Sequence, residues 1–317
     1  MAVTTRNPFK AEAVADLAAD AESLAASIDA IALQANEVAR TVMIGMHGRR
    51  RSGQGDMFWQ FRRYMEGDYA YQIDWRRSAR HEHLYVRENE MEHAQTVWLW
   101  CDLTASMAYR SELADTTKAE RALLFTFTLA ALLVAHGERV GVPSLAAPTA
   151  RRRVIPFLAD RLAENPETAL GHRLPDPDNV SPHSTCVVVS DFLDPVGELE
   201  PALAELADNG VALHFVEILD PSEMDFPFSG RTEFHTMEGG EPFVAGRAET
   251  LKEDYSVLID NHRRDIAEMA RHLDATLLHH RTDHNPDLAL TALTAQITDR
   301  DGELWIDMAD QAGAEAA

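Results

Sequence analysis

Three acidic residues in this chain stand directly behind strand-like apolar runs: Asp102 after TVWLWC, Asp191 after TCVVVS, and Asp220 after VALHFVEIL. Asp102 is followed at every second position by a hydroxyl residue, Thr104 and then Ser106. An extended loop would turn those three side chains toward one point. Such a cluster suits a hard cation, because Mg²⁺ takes oxygen ligands and keeps several waters. Asp102, Thr104, Ser106 and Asp191 are therefore the candidate metal ligands, and Mg²⁺ is the implied cofactor. A plainer reading competes with it, in which Asp102 and Asp191 cap the helices that follow and the hydroxyls satisfy loop backbone.

A second group carries the opposite charge. Residues 47–87 hold nine arginines against five acids, in a chain whose net charge is −23, and eight of its 23 aromatic residues. Arg49, Arg50, Arg51, Arg76 and Arg80 could bind an anion or an acidic partner, with the S-G-Q-G loop behind the first three. The alternative is a packed, salt-bridged subdomain in which Arg76, Arg77 and Arg80 pair with Asp68 and Asp74 while Trp75 and Tyr64 fill a small core.

Other chemistry has less support. His279, His280, Asp283 and His284 invite a zinc reading, but adjacent strand residues point to opposite faces, so His279 and His280 cannot readily share an ion. The sequence has no G-x-x-x-x-G-K-[ST] loop, no G-x-S-x-G elbow and no H-E-x-x-H pair, which removes the common nucleotide-hydrolase and hydrolase signatures. Cys101 and Cys186 lie inside apolar runs without a C-x-x-C partner and read as small core residues.

These candidates need elements to hold them. The order along the chain is strand (Thr96–Cys101), helix over the apolar stretch Ala122–Ala135 behind a T-x-x-E capping box at Thr117 and Glu120, and strand near Arg139–Leu145. A helix near Ile155–Ala163, the strand Thr185–Ser190, a helix at Glu198–Ala207 and the strand Val211–Leu219 follow. An irregular stretch to Gly246 precedes a helix from about Thr250 to Leu273, a strand at Thr276–His280 and a last helix opened by Asn285 and Pro286. That alternation predicts an α/β fold, a doubly wound and mostly parallel sheet wrapped by helices. Ligands of such sheets sit outside the carboxyl ends of the strands, where Asp102 and Asp191 stand.

Ahead of the sheet, apolar residues at Val14, Leu17, Ala21, Leu24, Ile28, Ile31, Ala35, Val38 and Val42 predict one long helix with a single apolar face. The expected organisation is an N-terminal helical segment (1–46), an Arg- and aromatic-rich subdomain (47–95), the α/β domain (96–300) and an acidic tail (301–317). The N-terminus has no basic flank and apolar run of the secretory kind. The longest apolar stretch is shorter than the ~20 residues needed to span a bilayer. A cytoplasmic location is expected.

The strings themselves resemble a known family. DLTASM is similar to the D-x-S-x-S metal-ion-dependent adhesion motif of von Willebrand factor A domains, with Thr104 in place of the first Ser. GRRRSGQGDMFWQFRRYMEGDYAYQIDWRRSAR (Gly48–Arg80), SDFLD (Ser190–Asp194) and DPSE (Asp220–Glu223) resemble, in order, the bacterial family called domain of unknown function 58. The resemblance runs from about Gly45 to Ile297. It implies a von Willebrand factor A-like sheet and association with MoxR-type AAA+ ATPases, which act as chaperones in assembling other proteins. By position, Asp102, Thr104, Ser106 and Asp191 would be its loop ligands. A complete adhesion site also takes a Thr from an intermediate loop, for which Thr168 and Thr185 are the candidates, and a metal-free site is the alternative.

The functional expectation is a non-enzymatic adaptor or co-chaperone that binds a MoxR-type ATPase or its client, with a partner carboxylate completing a Mg²⁺ shell. The competing enzyme reading is a Mg²⁺-dependent phosphohydrolase of the haloacid dehalogenase type. It would use Asp102 as nucleophile, Asp191 and Asp194 for metal, and Lys10, Lys118 or Lys252 as the lysine. That family expects a second Asp where Thr104 stands. A nucleic-acid binder using the Arg and aromatic island is the weakest of the three, because the acidic body opposes it.

Overall fold

The computed structural model describes residues 30–44, 58–65, 73–80, 83–89, 94–165, 172–235 and 242–298. The chain divides into two compact units, Ile44–Ala94 and the remainder.

In the larger unit the apolar runs behave as their composition requires. Strand β3 (Thr96–Cys101) is buried along nearly its whole length, and β6 (Thr185–Ser190) along all of it, because both faces of a central parallel strand are covered. They pair in parallel, Trp98 opposite Cys186 and Cys101 opposite Val189. β4 (Arg139–Val142) adds to the other side of β3. β7 (Ala212–Leu219) and β10 (Thr276–Arg281) extend the sheet beyond β6. The edge strand β5 (Ala146–Thr149) turns back antiparallel to β4, a hairpin that the sequence reading, with one strand over this region, did not separate.

The strand order is β5-β4-β3-β6-β7-β10. Counted along the sheet's own six strands this is 3-2-1-4-5-6, the doubly wound order, whose direction reverses between the first and fourth strands. Those are β3 and β6, the strands that end in Asp102 and Asp191. The fold is the von Willebrand factor A type that the strings implied.

Helix α3 (Lys118–Ala135) begins at Thr117, whose side chain accepts from the Glu120 amide while the Glu120 carboxylate accepts from the Thr117 amide, the expected capping box. It ends at Gly137, whose φ of +93° suits a left-handed terminus. α3 packs with α4 (Val154–Glu164) and with the last helix, α8 (Asp287–Thr298). α5 (Val196–Asp208) packs with α7 (Lys252–His272). The core on that side joins Trp98, Trp100, Cys186, Val188 and Phe215 from the sheet to Leu203, Ile266 and Met269 from the helices. Both indole N–H groups inside it are satisfied, Trp98 by the Ser181 hydroxyl and Trp100 by the Arg173 carbonyl. Cys101 and Cys186 are buried free thiols, as expected.

The stretch expected to be irregular up to Gly246 is not. It holds the short helix α6 (Pro221–Asp225), capped by Asp220, and a small hairpin of β8 (Thr232–Phe234) and β9 (Phe243–Ala245). Five clustered aromatic rings organise it: Phe226 contacts Phe228, Phe234 and Tyr255, and Phe234 contacts Phe243. Aromatic burial, invisible to a search for long periodic runs, holds the segment.

Ahead of the second unit, the helix α1 covers residues 30–44, with Ile31, Ala35, Ala39 and Val42 buried and Leu33 exposed. Its expected extension from Val14 to Ile28 and the tail at 301–317 lie outside the described residues. In the second unit, β1 (Phe58–Arg63), not anticipated, pairs antiparallel with β2 (Tyr85–Asn89). Between them Asp74 caps the single turn α2 (Trp75–Ser78) by accepting from the Arg77 amide. The Ser78 hydroxyl donates to the Asp74 carbonyl and accepts from the Tyr85 amide. Two expectations are corrected. Trp75 is 61% exposed and Tyr64 37% exposed, so neither fills a core, and the Asp74 carboxylate caps backbone instead of holding an arginine head group, as the helix start left an amide to satisfy.

Candidate functional site

The site is built from the three segments that leave β3, β6 and β7. After β3, Asp102 accepts at Oδ1 from the Thr104 amide (2.9 Å) and the Thr104 hydroxyl (2.6 Å), and at Oδ2 from the Ser190 hydroxyl (2.7 Å). The Thr104 hydroxyl lies 3.4 Å from that of Ser106, and Ser106 and Asp191 border one cavity. Asp102, Thr104, Ser106 and Asp191 thus stand together at the carboxyl edge. Neither acid caps a helix: the 3-10 turn Ala105–Ala108 starts at Thr104 and α5 starts at Pro195.

After β6, Phe192 adopts φ +49° and is buried against Phe215, ring centroids 5.4 Å apart. Its carbonyl is held by His262 Nε2 at 2.7 Å. A non-glycine residue held left-handed costs on the order of 1 kcal/mol, and such strain concentrates at sites whose geometry is over-determined. Here the turn aims the Asp191 carboxylate inward and Leu193 outward.

The residue that the metal reading left out is Lys118, the first residue of α3. Its ammonium donates to Asp191 Oδ2 at 2.8 Å and to Glu223 Oε1 at 2.6 Å, with both Lys118 and Asp191 almost wholly buried. Burial alone would discharge the lysine, but the two carboxylates more than compensate and hold it protonated above the ordinary lysine value. Burial pushes Asp191 up, and the Lys118 charge outweighs it, so its carboxyl titrates below the usual range. For Glu223 burial wins over the same lysine and the shift is upward. Asp102, buried and close to the Asp191 charge, rises to about 6 despite its hydroxyl donors. The signal for Lys118 was in the sequence, as the single lysine behind a capping box in a run of apolar residues. Only the enzyme reading weighed it.

Asp220 and Glu223 form a second capping box, Asp220 accepting from the Ser222 amide and hydroxyl and from the Ser111 amide. Tyr109 hydrogen-bonds to Ser222 and its ring lies 5.9 Å from the Lys118 ammonium.

Whether these residues suit Mg²⁺ is decided by where their oxygens point. Each carboxylate oxygen of Asp102, Asp191 and Glu223 already accepts from a protein donor, the remaining two being Asp191 Oδ1 from the Leu193 amide and Glu223 Oε2 from the Asp220 amide. The described residues include no group of three His, Cys, Asp or Glu arranged to hold a metal ion. Thr185 opens β6 at the opposite end of the strand from Asp191 and cannot serve as the intermediate-loop ligand; Thr168 lies outside the described residues. With Lys118 in place, the set does not fit a divalent ion.

Above this polar floor lies a cleft of about 670 Å³. Ser106, Lys118, Asp191 and Glu223 line its base, while Phe226, Phe228, Phe234, Phe243, Tyr255 and Leu258 form an apolar wall. Asp102 is not among the lining residues. Of the other predicted residues, Asp194 pairs with Arg173 at the margin. Arg76 and Arg80 are exposed on α2 and the turn behind it, and Arg49, Arg50 and Arg51 lie outside the described residues. His279 Nδ1 donates to the Glu217 carboxylate (2.5 Å) while His280 is buried against Phe125, on opposite faces as the strand period requires.

Uncharacterized proteins of Mycobacterium tuberculosis (Rv1480) and Mycobacterium bovis (Mb1516) are each 26% identical over 284 residues, covering 84% of this chain and 87% of their own. Among solved structures, the conserved hypothetical protein BatB of Bacteroides thetaiotaomicron covers 65% of this chain and 98% of its own at 15% identity and a TM-score of 0.38. An aerotolerance-related membrane protein of Bacteroides fragilis covers 64% and 98% at 14% identity and a TM-score of 0.37. The family model described as protein of unknown function DUF58 matches residues 60–265. That span begins inside β1, takes in the loops behind β3, β6 and β7 together with Lys118, and covers more than half of the chain, so the chain belongs to the DUF58 family.

Proposed function

We propose that this chain is a non-enzymatic binding module, an adaptor or co-chaperone, whose protein partner docks over the cleft at the carboxyl edge of the sheet. The observation that carries the reading is the rim of that cleft. Leu193, Phe243 and Leu258 are 37%, 57% and 67% exposed around an aromatic wall. Contiguous apolar surface at a sheet's ligand edge is what an interaction site presents.

Charge narrows the partner. Asp191 and Glu223 share one lysine, and Asp254 adds a further acid to the lining, so the cleft suits a segment with apolar and basic side chains. Family resemblance names the candidate, a MoxR-type AAA+ ATPase or its client. The phosphohydrolase reading has less support, because both Asp102 oxygens are engaged by Ser190 and Thr104 and the residue is 1% exposed, a poor position for a nucleophile.

The test is binding of the purified protein to a MoxR-type AAA+ ATPase, comparing wild type with Phe243→Asp and Leu258→Asp. Both positions are exposed, so both variants should keep the wild-type Tm. A loss of affinity of about tenfold or more, typical for an interface anchor, is expected. Unchanged binding by both variants sets the cleft aside, and phosphatase activity that vanishes in Asp102→Asn would promote the enzyme reading.

A further inference from the structure

A pair of acids at the switch point of this fold needs a cation, and the chain supplies one covalently. Lys118 sits in the first turn of α3, where the partial positive charge of a helix N-terminus disfavours a lysine. It is nevertheless 1% exposed. Neither helix electrostatics nor solvation accounts for a charged group there; the two carboxylates do.

The three partners come from three different connections. Lys118 follows β3, Asp191 follows β6, and Glu223 lies on α6 behind β7. The ammonium therefore ties together the segments on both sides of the point where the sheet reverses direction, with bonds of 2.8 and 2.6 Å. Bridging acids of separate loops is the work a divalent ion performs at an oxygen-lined edge. Thr104 and Ser106, the hydroxyls spaced for a metal shell, are turned instead to Asp102 and to each other.

We infer that the Lys118 ammonium is the resident cation of this site, occupying the position between Asp191 and Glu223 that a divalent ion would otherwise fill, so that the edge is assembled and recognises its ligand without metal. The inference is independent of which protein docks above the cleft. It assigns Lys118 a positioning role: it fixes two loops whose side chains floor the cleft.

Mn²⁺ alone is the probe. In the wild-type protein, millimolar Mn²⁺ or chelator should leave the Tm unchanged, and the Lys118 side-chain ¹⁵N resonance should persist through the titration. In Lys118→Met the two acids face each other without a counter-ion, so the Tm should fall by several degrees and recover part of the loss as Mn²⁺ is added. Lys118→Met/Asp191→Asn, with one acid neutralised, should show little Mn²⁺ response. A saturable rise in the wild-type Tm, or saturable loss of the lysine resonance, would overturn the inference even if Lys118→Met does not fold. A folded Lys118→Met indifferent to Mn²⁺ would overturn it as well.

Discussion

Asp102, His214 and His280 are three buried titratable groups whose shifts have opposite consequences for stability. His214 and His280 are depressed by burial, from 6.5 to about 4 and about 3, with the nearby Arg121 charge adding to the effect at His280. Each stays neutral in the fold while an unfolded chain takes up the proton. Their contribution is therefore present above pH 6.5 and is lost as the pH falls toward those values. Asp102 is raised from 3.8 to about 6, so its contribution is present in acid and lost as the pH rises through about 6. Between pH 4 and 6 the two histidines oppose the one aspartate, and stability should fall on acidification. Replacing His280, whose Nε2 has no hydrogen-bond partner and whose ring packs on Phe125, by leucine should flatten that slope by up to about 1.4 kcal/mol per pH unit. Asp102→Asn should steepen it. Denaturant melts at pH 4.5 and 6.5 would decide, and an unchanged slope in His280→Leu would remove the histidine from the account.

At the scale of elements, the central strands admit little change. Gly141 on β4 lies beside Trp98 on β3, and a Cβ added there would come within 2.8 Å of the indole and 3.0 Å of the Ala146 carbonyl. The indole is held by its bond to Ser181 and by close packing, so it cannot yield. Gly141→Ala should cost about 1–3 kcal/mol, the range for overpacking a core, measurable by urea unfolding; a change under ~0.5 kcal/mol would mean that the sheet edge relaxes. Lys118 is tied to Asp191 at the start of α3, and breaking a buried pair costs about 3–5 kcal/mol. Lys118→Met should therefore be the more damaging of these two changes. The hairpin of β8 and β9 is a different case. It is short, its rings contact one another, and Phe243 is more than half exposed, so substitutions there should act on binding and leave the sheet intact.

For the whole molecule, charge is the property that a partner meets first. The chain carries a net −23, with its arginines concentrated in residues 47–87. Attraction between such a body and a basic surface weakens over a Debye length of about 8 Å at physiological salt. Affinity for a basic partner surface should therefore fall as NaCl rises from 50 to 500 mM, chiefly through slower association. A salt-independent association rate would mean that the apolar rim alone carries the contact. No helix among the described residues is long and apolar enough to cross a membrane.

Local sequence determined most of the α/β unit. Continuous apolar runs in TVWLWC and TCVVVS specify strands buried on both faces, and Thr117 with Glu120 specifies the start of α3, because both signals act over a few residues. The acids behind the strands were legible for the same reason. What the tertiary structure decided is which of them meet, and through what. The sheet order brings the ends of β3 and β6 side by side at the switch point, and the loop from β3 to the start of α3 delivers Lys118 to Asp191, 73 residues away in sequence. Trp75 looked like a core residue by type, yet it is exposed, since a ring is buried only where another element covers it. The aromatic hairpin was hidden because its contacts join residues without any period along the chain. Spacing named the oxygens that could hold a cation; only the packing of α3 against the loops behind β6 and β7 placed an ammonium among them, since an ion pair between distant segments exists only after the fold has closed.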